Sequence, residues 1–448
     1  MDFYLWGCMN DLAYNINEIN DLDDLNTPIQ APFRPGYSRR TVEYFQIVSD
    51  RKGPRMSGPF KRRPSLKTLP PGPTIKSASL RRRSSLGTSQ LPSPSQQEVP
   101  WDVLDRCLLP VIYCQAAAFI ISTVLNTLNI SQVSALTLFI LLSIITIALI
   151  LFYHNLKIAV VGKAVLLTGC DSRMGYALAR YLDELGFTVF AGFQSIEDNP
   201  YANDLKEESS GRLHVLQLDV SSETQILAAS LYIVEHLPDD ASGLWAVIHA
   251  ANYFALGEIE WIPYEAVKKA CDINLVGATR VTQVMAPLVR RARGRIVFLS
   301  SGLCRVTSAV RGIHCALFSA IEAEATCLRQ ELRSRGVDVI TVAPGEFTAC
   351  SSWLNDELLL DEAREMWGRL SKEQKREYGQ DYFETAIRSL EKYTKVQDAD
   401  LAPVLKALSD SIIRTFPLTK YTPVTRREKL QAFIADHFPR PVYDVFYS

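Results

Sequence analysis

Net charge is almost missing from this chain: 48 Lys and Arg stand against 49 Asp and Glu, leaving −1. No long-range field draws it to nucleic acid, and no nucleic-acid partner is expected. Paired cysteines are missing as well. The nine (Cys8, Cys107, Cys114, Cys170, Cys271, Cys304, Cys315, Cys327 and Cys350) are scattered, odd in number and without a CxxC pair. That pattern excludes a disulfide framework and fits a reduced compartment. The six histidines have no HxxxH-type spacing, so no metal site is expected. A basic-then-apolar signal peptide is also absent from the first residues.

What is present falls into blocks, with apolar material enough in 448 residues for a domain of about 250 residues or more. Residues 1–100 read as a disordered tail, mildly acidic at first and basic from residue 34. Between Arg34 and Pro100, fourteen Lys or Arg stand against three acids amid Ser and Pro. The clusters Arg62-Arg63-Pro64-Ser65 and Arg81-Arg82-Arg83-Ser84-Ser85 look like targets of basophilic kinases. The plainer reading is a solvated basic tail that touches anionic lipid. Phosphorylation of Ser65, Ser84 or Ser85 would cancel that charge.

Residues 107–154 hold one or two transmembrane helices. Leu108–Leu128 has the length of a span but carries Pro110, Gln115 and Asn126, which leaves a buried or re-entrant helix open. Val133–Tyr153 has no charge and is long enough to cross a ~30 Å hydrocarbon core. The link Asn129–Gln132 is so short that two spans would form a hairpin. Basic residues beyond both ends then put the tail and the following domain together in the cytosol. An integral membrane protein is expected, with the endoplasmic reticulum preferred to the mitochondrion although no residue separates the two.

The stretch Lys163–Gly192, KAVLLTGCDSRMGYALARYLDELGFTVFAG, organises the rest. Ala164–Leu167 is the short apolar run of a buried strand, and Thr168-Gly169 begins a turn. From Gly175, residues Ala177, Leu178, Tyr181, Leu182 and Leu185 recur at helical spacing. Gly186 ends that helix and Thr188–Ala191 starts the next strand. A dinucleotide pyrophosphate would sit on the helix N-terminus. More strands are expected at Leu213–Leu218, Leu244–His249, Arg295–Leu299 and Val337–Val342, with a long helix from about Cys315 to Arg335. Strands alternating with helices predict an α/β fold, a Rossmann-like doubly wound parallel sheet.

TGCDSRMG (168–175), GEIEW (257–261), INLVGATRVTQ (273–283), RARGRIVFLSS (291–301) and APGEF (343–347) carry a resemblance, as do YGQDYF (378–383), DLAPVLKAL (400–408) and VYDVFY (442–447). From about residue 160 to its end the chain resembles the short-chain dehydrogenase/reductase family. The similar branch is the membrane-associated one of D-3-hydroxybutyrate, 17β- and 11β-hydroxysteroid type 2 and retinol dehydrogenases. The resemblance implies a dinucleotide-binding core over 160–345. Residues 346–448 would be substrate cap and C-terminal segment, with cap helices from Glu346 to about Lys395. It further implies hydride transfer between a secondary alcohol or ketone and NAD or NADP, on an apolar small molecule such as a steroid, retinoid or hydroxy acid. A homodimer through the long helix is possible on the same ground, beside contact with membrane lipid. The implied cofactor residues are Thr168, Gly169, Asp171, Arg173, Met174, Gly175, Asp219, Ala250, Pro344, Gly345 and Thr348.

Such relatives use a tyrosine as general acid/base and a lysine four residues on, whose ammonium favours the phenolate. A serine and an asparagine complete the set. Ser301 and Asn274 stand at those two positions. Thirteen residues after Ser301 comes His314 rather than tyrosine, and four further comes Phe318, a non-functional replacement for lysine. Tyr264 with Lys268, and Tyr153 with Lys157, spell the motif in the wrong places. Arg173 replaces the middle glycine of the phosphate loop, where it would hinder or grip a phosphate. In His249-Ala250-Ala251-Asn252 an asparagine stands for glycine, tolerable if that residue takes a positive φ. Gln194-Ser195, after the second strand, offers neither the acid nor the arginine that would choose NAD or NADP.

An imidazole can serve as general acid/base. Losing a positioned proton-transfer group costs on the order of 10²–10⁴ in rate, and here the lysine is gone too. The expectation is a membrane-anchored protein of oxidoreductase ancestry with lost or weakened activity. Any turnover left would use His314 with Ser301 and Asn274. The alternative is a pseudoenzyme that binds lipid or cofactor, or acts as a membrane scaffold.

Overall fold

The computed structural model describes residues 101–130, 132–197, 199–304, 310–345, 356–394, 401–439 and 441. The tail with Ser65, Ser84 and Ser85, and the expected cofactor residue Thr348, lie outside them. Two apolar helices come first. Helix α1, Trp101–Thr127, runs on through Pro110, and α2 is Ala135–Asn155. Both are long and apolar enough to cross a membrane. Their side chains Phe119, Ile120, Leu136 and Ile144 point outward and are exposed. Cys114, Ala118 and Ser122, spaced four apart on α1, are buried. Small residues at that spacing let two helix backbones approach closely. Cys114 Sγ lies 3.2 Å from Thr146 Oγ1, and Ser122 Oγ donates to the Val133 carbonyl at 2.8 Å. Asn129 takes the left-handed conformation (φ 51°) in the turn. The first segment is therefore a full helix beside the second, a hairpin, and not a helix buried in the domain.

The domain is a seven-stranded sheet in the order β3-β2-β1-β4-β5-β6-β7, every pair parallel. Its strands are β1 Ala164–Thr168, β2 Thr188–Phe193, β3 Leu213–Gln217, β4 Leu244–His249, β5 Arg295–Leu299, β6 Asp338–Val342 and β7 Lys420–Tyr421. The connecting helices are α3 Arg173–Glu184, α4 Pro200–Glu208, α5 Glu223–Glu235, α6 Tyr264–Ala270, α7 Ala278–Ala292 and α8 Gly312–Arg333. A π-helical segment, Cys271–Gly277, joins α6 to α7. Helices α9 Asp356–Arg369, α10 Lys372–Tyr378 and α11 Gln380–Thr394 follow β6; α12 Ala402–Ile413 precedes β7 and α13 Arg426–His437 succeeds it.

Helices cover both faces, so the inner strands are buried at nearly every residue, not at alternate ones. Val165, Leu167, Val189 and Ile248 pack on one face with Leu178 and Leu182 of α3 and Leu408 of α12. Leu166, Phe190, Val247 and Phe298 pack on the other with Met285 of α7 and Ile321 of α8. Gly186, at φ +100°, turns the chain out of α3. Two details depart from the sequence reading. Helix α8 begins at Gly312, not near Cys315, so His314 lies in its first turn. The seventh strand, only two residues long, was not foreseen. All strands end on one edge, and loops leaving that edge build the site.

Candidate functional site

On that edge Thr168 ends β1, and its hydroxyl accepts from the backbone N–H of Ala250 and of Ala251, each at 3.2 Å. Thr168 thus braces the exit of β4 against β1. Gly169 has φ +75°, and a Cβ there would overlap the backbone of Ala251. Gly175 is packed as tightly on the Gly169 carbonyl. Ser172 caps α3: its Oγ accepts from Gly175 N at 3.0 Å and donates to Gly169 O at 2.9 Å. Arg173 is the first residue of α3 and half-buried. Met174 has its side chain fully buried in the core, so only its backbone could meet a ligand.

The cleft beside this loop is walled by Gly169, Asp171, Asp219, Ala250, Asn252 and Lys269, among others. Asp171 is its best-held polar group. Its carboxylate accepts from Gln194 N at 2.7 Å, Ser195 N at 3.4 Å and Asn199 Nδ2 at 3.2 Å. Burial pushes the Asp171 carboxyl up from its ordinary range, and the backbone N–H bonds pull against that. The sequence reading found no acid after β2; the structure brings one there from another loop. Asp219 accepts from Ser221 N at 2.8 Å and Ser221 Oγ at 2.7 Å. Asn252 does not take the positive φ that would have explained it. Its Oδ1 is buried without a hydrogen-bond partner in the cleft wall. Lys269 Nζ sits 4.4 Å over the Tyr253 ring.

Asn274, buried in the π-helical segment, turns inward. Its Oδ1 accepts from Tyr253 N at 2.7 Å and its Nδ2 donates to Tyr253 O at 2.9 Å. This clamps the loop that follows the cleft. His314 and Phe318, on one face of α8, form an aromatic cluster with Phe254, in which Phe254 stacks on His314 and Phe318 is tilted. The rings of Phe254 and His314 are 4.7 Å apart and 19° from parallel, and His314 and Phe318 are 4.5 Å apart. His314 is 2 % exposed and neither ring nitrogen has a hydrogen-bond partner. Burial first, and then the Arg311 charge, push its pKa down to about 3. Such an imidazole is neutral, and its face lies against the Phe254 ring. Phe254 gave no signal in the sequence.

Ser301 is almost fully buried and borders a second cavity of about 520 Å³. Helix α13 roofs it, with Leu430 and Phe433 on the wall, and His314 is not on that wall. At its floor Lys420 Nζ meets Glu322 Oε1 at 2.6 Å, and Ser300 Oγ donates to the same oxygen at 3.2 Å. Pro344 and Gly345 are covered by the chain itself. Pro423 O accepts from Gly345 N at 3.2 Å, and the Glu428 carboxylate would lie 2.6 Å from a Cβ on Gly345. Lys420, Glu322 and Glu428 were missed in the sequence, where nothing local marks a two-residue strand. The decoy Tyr264 is 75 % exposed at the start of α6 and lines neither cavity. Tyr153 lies on α2. Among the described residues no group of His, Cys, Asp and Glu could hold a metal ion.

The family model described as short chain dehydrogenase matches residues 163–355. D-beta-hydroxybutyrate dehydrogenase, mitochondrial, of Bos taurus is 35 % identical over 288 residues, 64 % of this chain and 84 % of that protein. Estradiol 17-beta-dehydrogenase 2 of Mus musculus is 35 % identical over 284 residues, 63 % of this chain and 73 % of the relative. Retinol dehydrogenase 7 of Mus musculus is 33 % identical over 260 residues, 58 % and 80 % of the two chains.

Proposed function

The chain belongs to the short-chain dehydrogenase/reductase family, and from that premise we propose that it is a membrane-anchored member that keeps a pyridine-nucleotide site and has lost ordinary hydride transfer. The aromatic cluster of Phe254, His314 and Phe318 carries this reading. A proton-transfer group must reach the reacting oxygen, directly or through one water. His314 is sealed from both. No lysine stands one turn along α8 to favour an anion, since Phe318 fills that place.

The residues suit one half of a dinucleotide better than the other. Asn252, whose buried Oδ1 has no donor, stands in the wall of the cleft that also presents Asp171 and Asp219. An adenosine amine and ribose hydroxyls are donors of the matching kind. A bound nicotinamide nucleotide would supply hydride chemistry, but Gly345 on that side lies under Glu428. The Asp171 carboxylate beside the end of β2 favours NAD over NADP, because it would repel a 2′-phosphate. The cavity under α13 has room for a small molecule, within the ~300–1,000 Å³ usual for ligand pockets. Its apolar wall and its paired Lys420 and Glu322 suit an apolar ligand with a polar end.

Calorimetric titration of the full chain in detergent with NAD(H) and NADP(H), alongside turnover assays on secondary alcohols and ketones, tests this. NAD(H) should bind at least about tenfold more tightly than NADP(H), a difference of ~1.4 kcal/mol. Turnover should be absent and unchanged in His314→Ala. Turnover that His314→Ala abolishes would make the protein an enzyme with a histidine base. Equal affinity for the two nucleotides would remove the role given to Asp171.

A further inference from the structure

No free linker separates the membrane hairpin from the domain. Two residues after α2 ends, the chain is already paired with the segment that follows α12. Ile158 N donates to Ile413 O at 2.9 Å, Thr415 N donates to Leu156 O at 2.9 Å, and Lys157 bridges Arg414 in antiparallel fashion. Arg414, buried, reaches back into the last turn of α2. It donates to the His154 carbonyl at 3.0 Å and to the His154 ring, and its other nitrogen meets Asp410 at 2.6 Å. From α1, Arg106 donates to Phe416 O, and the rings of Tyr153 and Phe416 meet edge to face 5.5 Å apart.

The same segment is held by the first residue of β5 and the second of β4. Arg295 donates to Ser411 O at 2.7 Å and Trp245 Nε1 donates to Ile412 O at 3.0 Å. Both lie where parallel strands begin, so the hairpin is fixed to the edge of the sheet opposite the candidate site. A five-residue strand sets the two edges about 15 Å apart.

That edge has the chemistry of a lipid interface. Val161, at 88 % exposure, is the most exposed large apolar side chain among the described residues, and Phe416 is about half exposed. Around them stand exposed Lys157, Arg290 in the last turn of α7, and Arg293 and Arg335 in the loops entering β5 and β6, together with the exposed acids Asp239, Asp240 and Asp338. The edge is continuous: Lys163 Nζ lies 3.6 Å over the Trp245 ring, which Arg295 also faces, and Arg293 packs on Gly336. Cations gather at anionic headgroups, and aromatic and apolar groups settle into the same layer. The opposite edge presents Asp171 and Asp219 beside Lys269.

We propose that this edge, clamped to the hairpin and carrying Val161, Phe416 and the arginines, rests in the headgroup layer of the membrane that the hairpin crosses, and holds the nucleotide-side edge towards water. Ligands then reach the candidate site from the aqueous phase and not by sliding out of the bilayer. The proposal rests on reading α1 and α2 as membrane spans.

Photo-crosslinking of the full chain in vesicles of phosphatidylcholine and phosphatidylserine tests it, with p-benzoylphenylalanine placed singly at Ile144, Val161, Phe416 and Glu223. Ile144 reports the span and Glu223, at the start of α5, reports the ligand edge. Lipid adducts are expected at Ile144, Val161 and Phe416, and none at Glu223. Adducts at Ile144 without any at Val161 and Phe416 would show a domain standing clear of the bilayer. Adducts at Glu223 in place of Val161 would reverse the orientation. No adduct at Ile144 would remove the span and the proposal with it. Arg290→Glu with Arg293→Glu and Arg335→Glu should cut the Val161 yield several-fold with phosphatidylserine and leave it unchanged in phosphatidylcholine alone; an unchanged yield in both would take the arginines out of the contact.

Discussion

His314 is a basic side chain kept where a proton cannot follow. Its pKa is pushed down to about 3, and that of His249, buried beside Phe298 with Thr282 on its Nε2 at 2.9 Å, also to about 3. In an unfolded chain both titrate near 6.5. Below that pH the unfolded state binds more protons than the folded one, so stability falls as pH falls. The contribution is fully present above about pH 6.5 and lost at up to ~1.4 kcal/mol per pH unit for each histidine down to about pH 3. His314→Phe should keep the aromatic cluster and make the dependence shallower by one proton. Urea unfolding of the full chain at pH 7 and pH 5 measures this. Equal losses in parent and variant would mean that His314 takes up its proton inside the fold. The sequence already displayed the loss of tyrosine and lysine, because that motif has fixed spacing along one helix. It could not display Phe254, which reaches His314 from a loop after β4 and has no spacing rule to betray it.

At the scale of elements, the site depends on a π-helical turn. The segment Cys271–Gly277 holds Asn274 so that one amide satisfies both backbone groups of Tyr253. Asn274→Ala would leave a buried N–H and carbonyl without partners, at a cost of about 1–3 kcal/mol for such a group. The expected result is a lower urea midpoint, with weaker NAD(H) binding because Tyr253 and Lys269 border the cleft. Loss of stability with unchanged nucleotide affinity would separate the loop from the site. The strands were legible because those buried on both faces appear as short apolar runs closed by turn residues, as Ala164–Thr168 does. β7 was not, because Lys420–Tyr421 is too short for a period and gains its place only by pairing with Thr341 and Val342. Helix α13 has an N-terminal capping box, Thr425 with Glu428. Its position over Gly345 is a tertiary fact, set by packing between residues distant in sequence.

Across the whole molecule, Arg414 decides whether hairpin and domain behave as one body. It joins the His154 turn of α2 to Asp410 of α12, with both charged side chains about 10 % exposed. Removing one partner of a buried pair leaves the other charge uncompensated and typically costs about 3–5 kcal/mol, whereas replacing both costs less. Arg414→Met should therefore destabilise the full chain strongly, and Arg414→Met with Asp410→Asn should recover part of the loss. The hydrogen bonds to His154 stay broken in both variants, so the recovery isolates the charge from the clamp. Limited proteolysis adds a second readout, because cleavage between Leu156 and Lys163 requires Ile158 and Thr415 to let go of their partners. If the double variant regains stability while that stretch stays open to protease, Arg414 serves the join and not the core. If both variants remain protected there, the strand-like pairing of Leu156–Ile158 with Ile413–Thr415 holds the hairpin by itself, and the arginine only fills a buried space that its own charge made necessary.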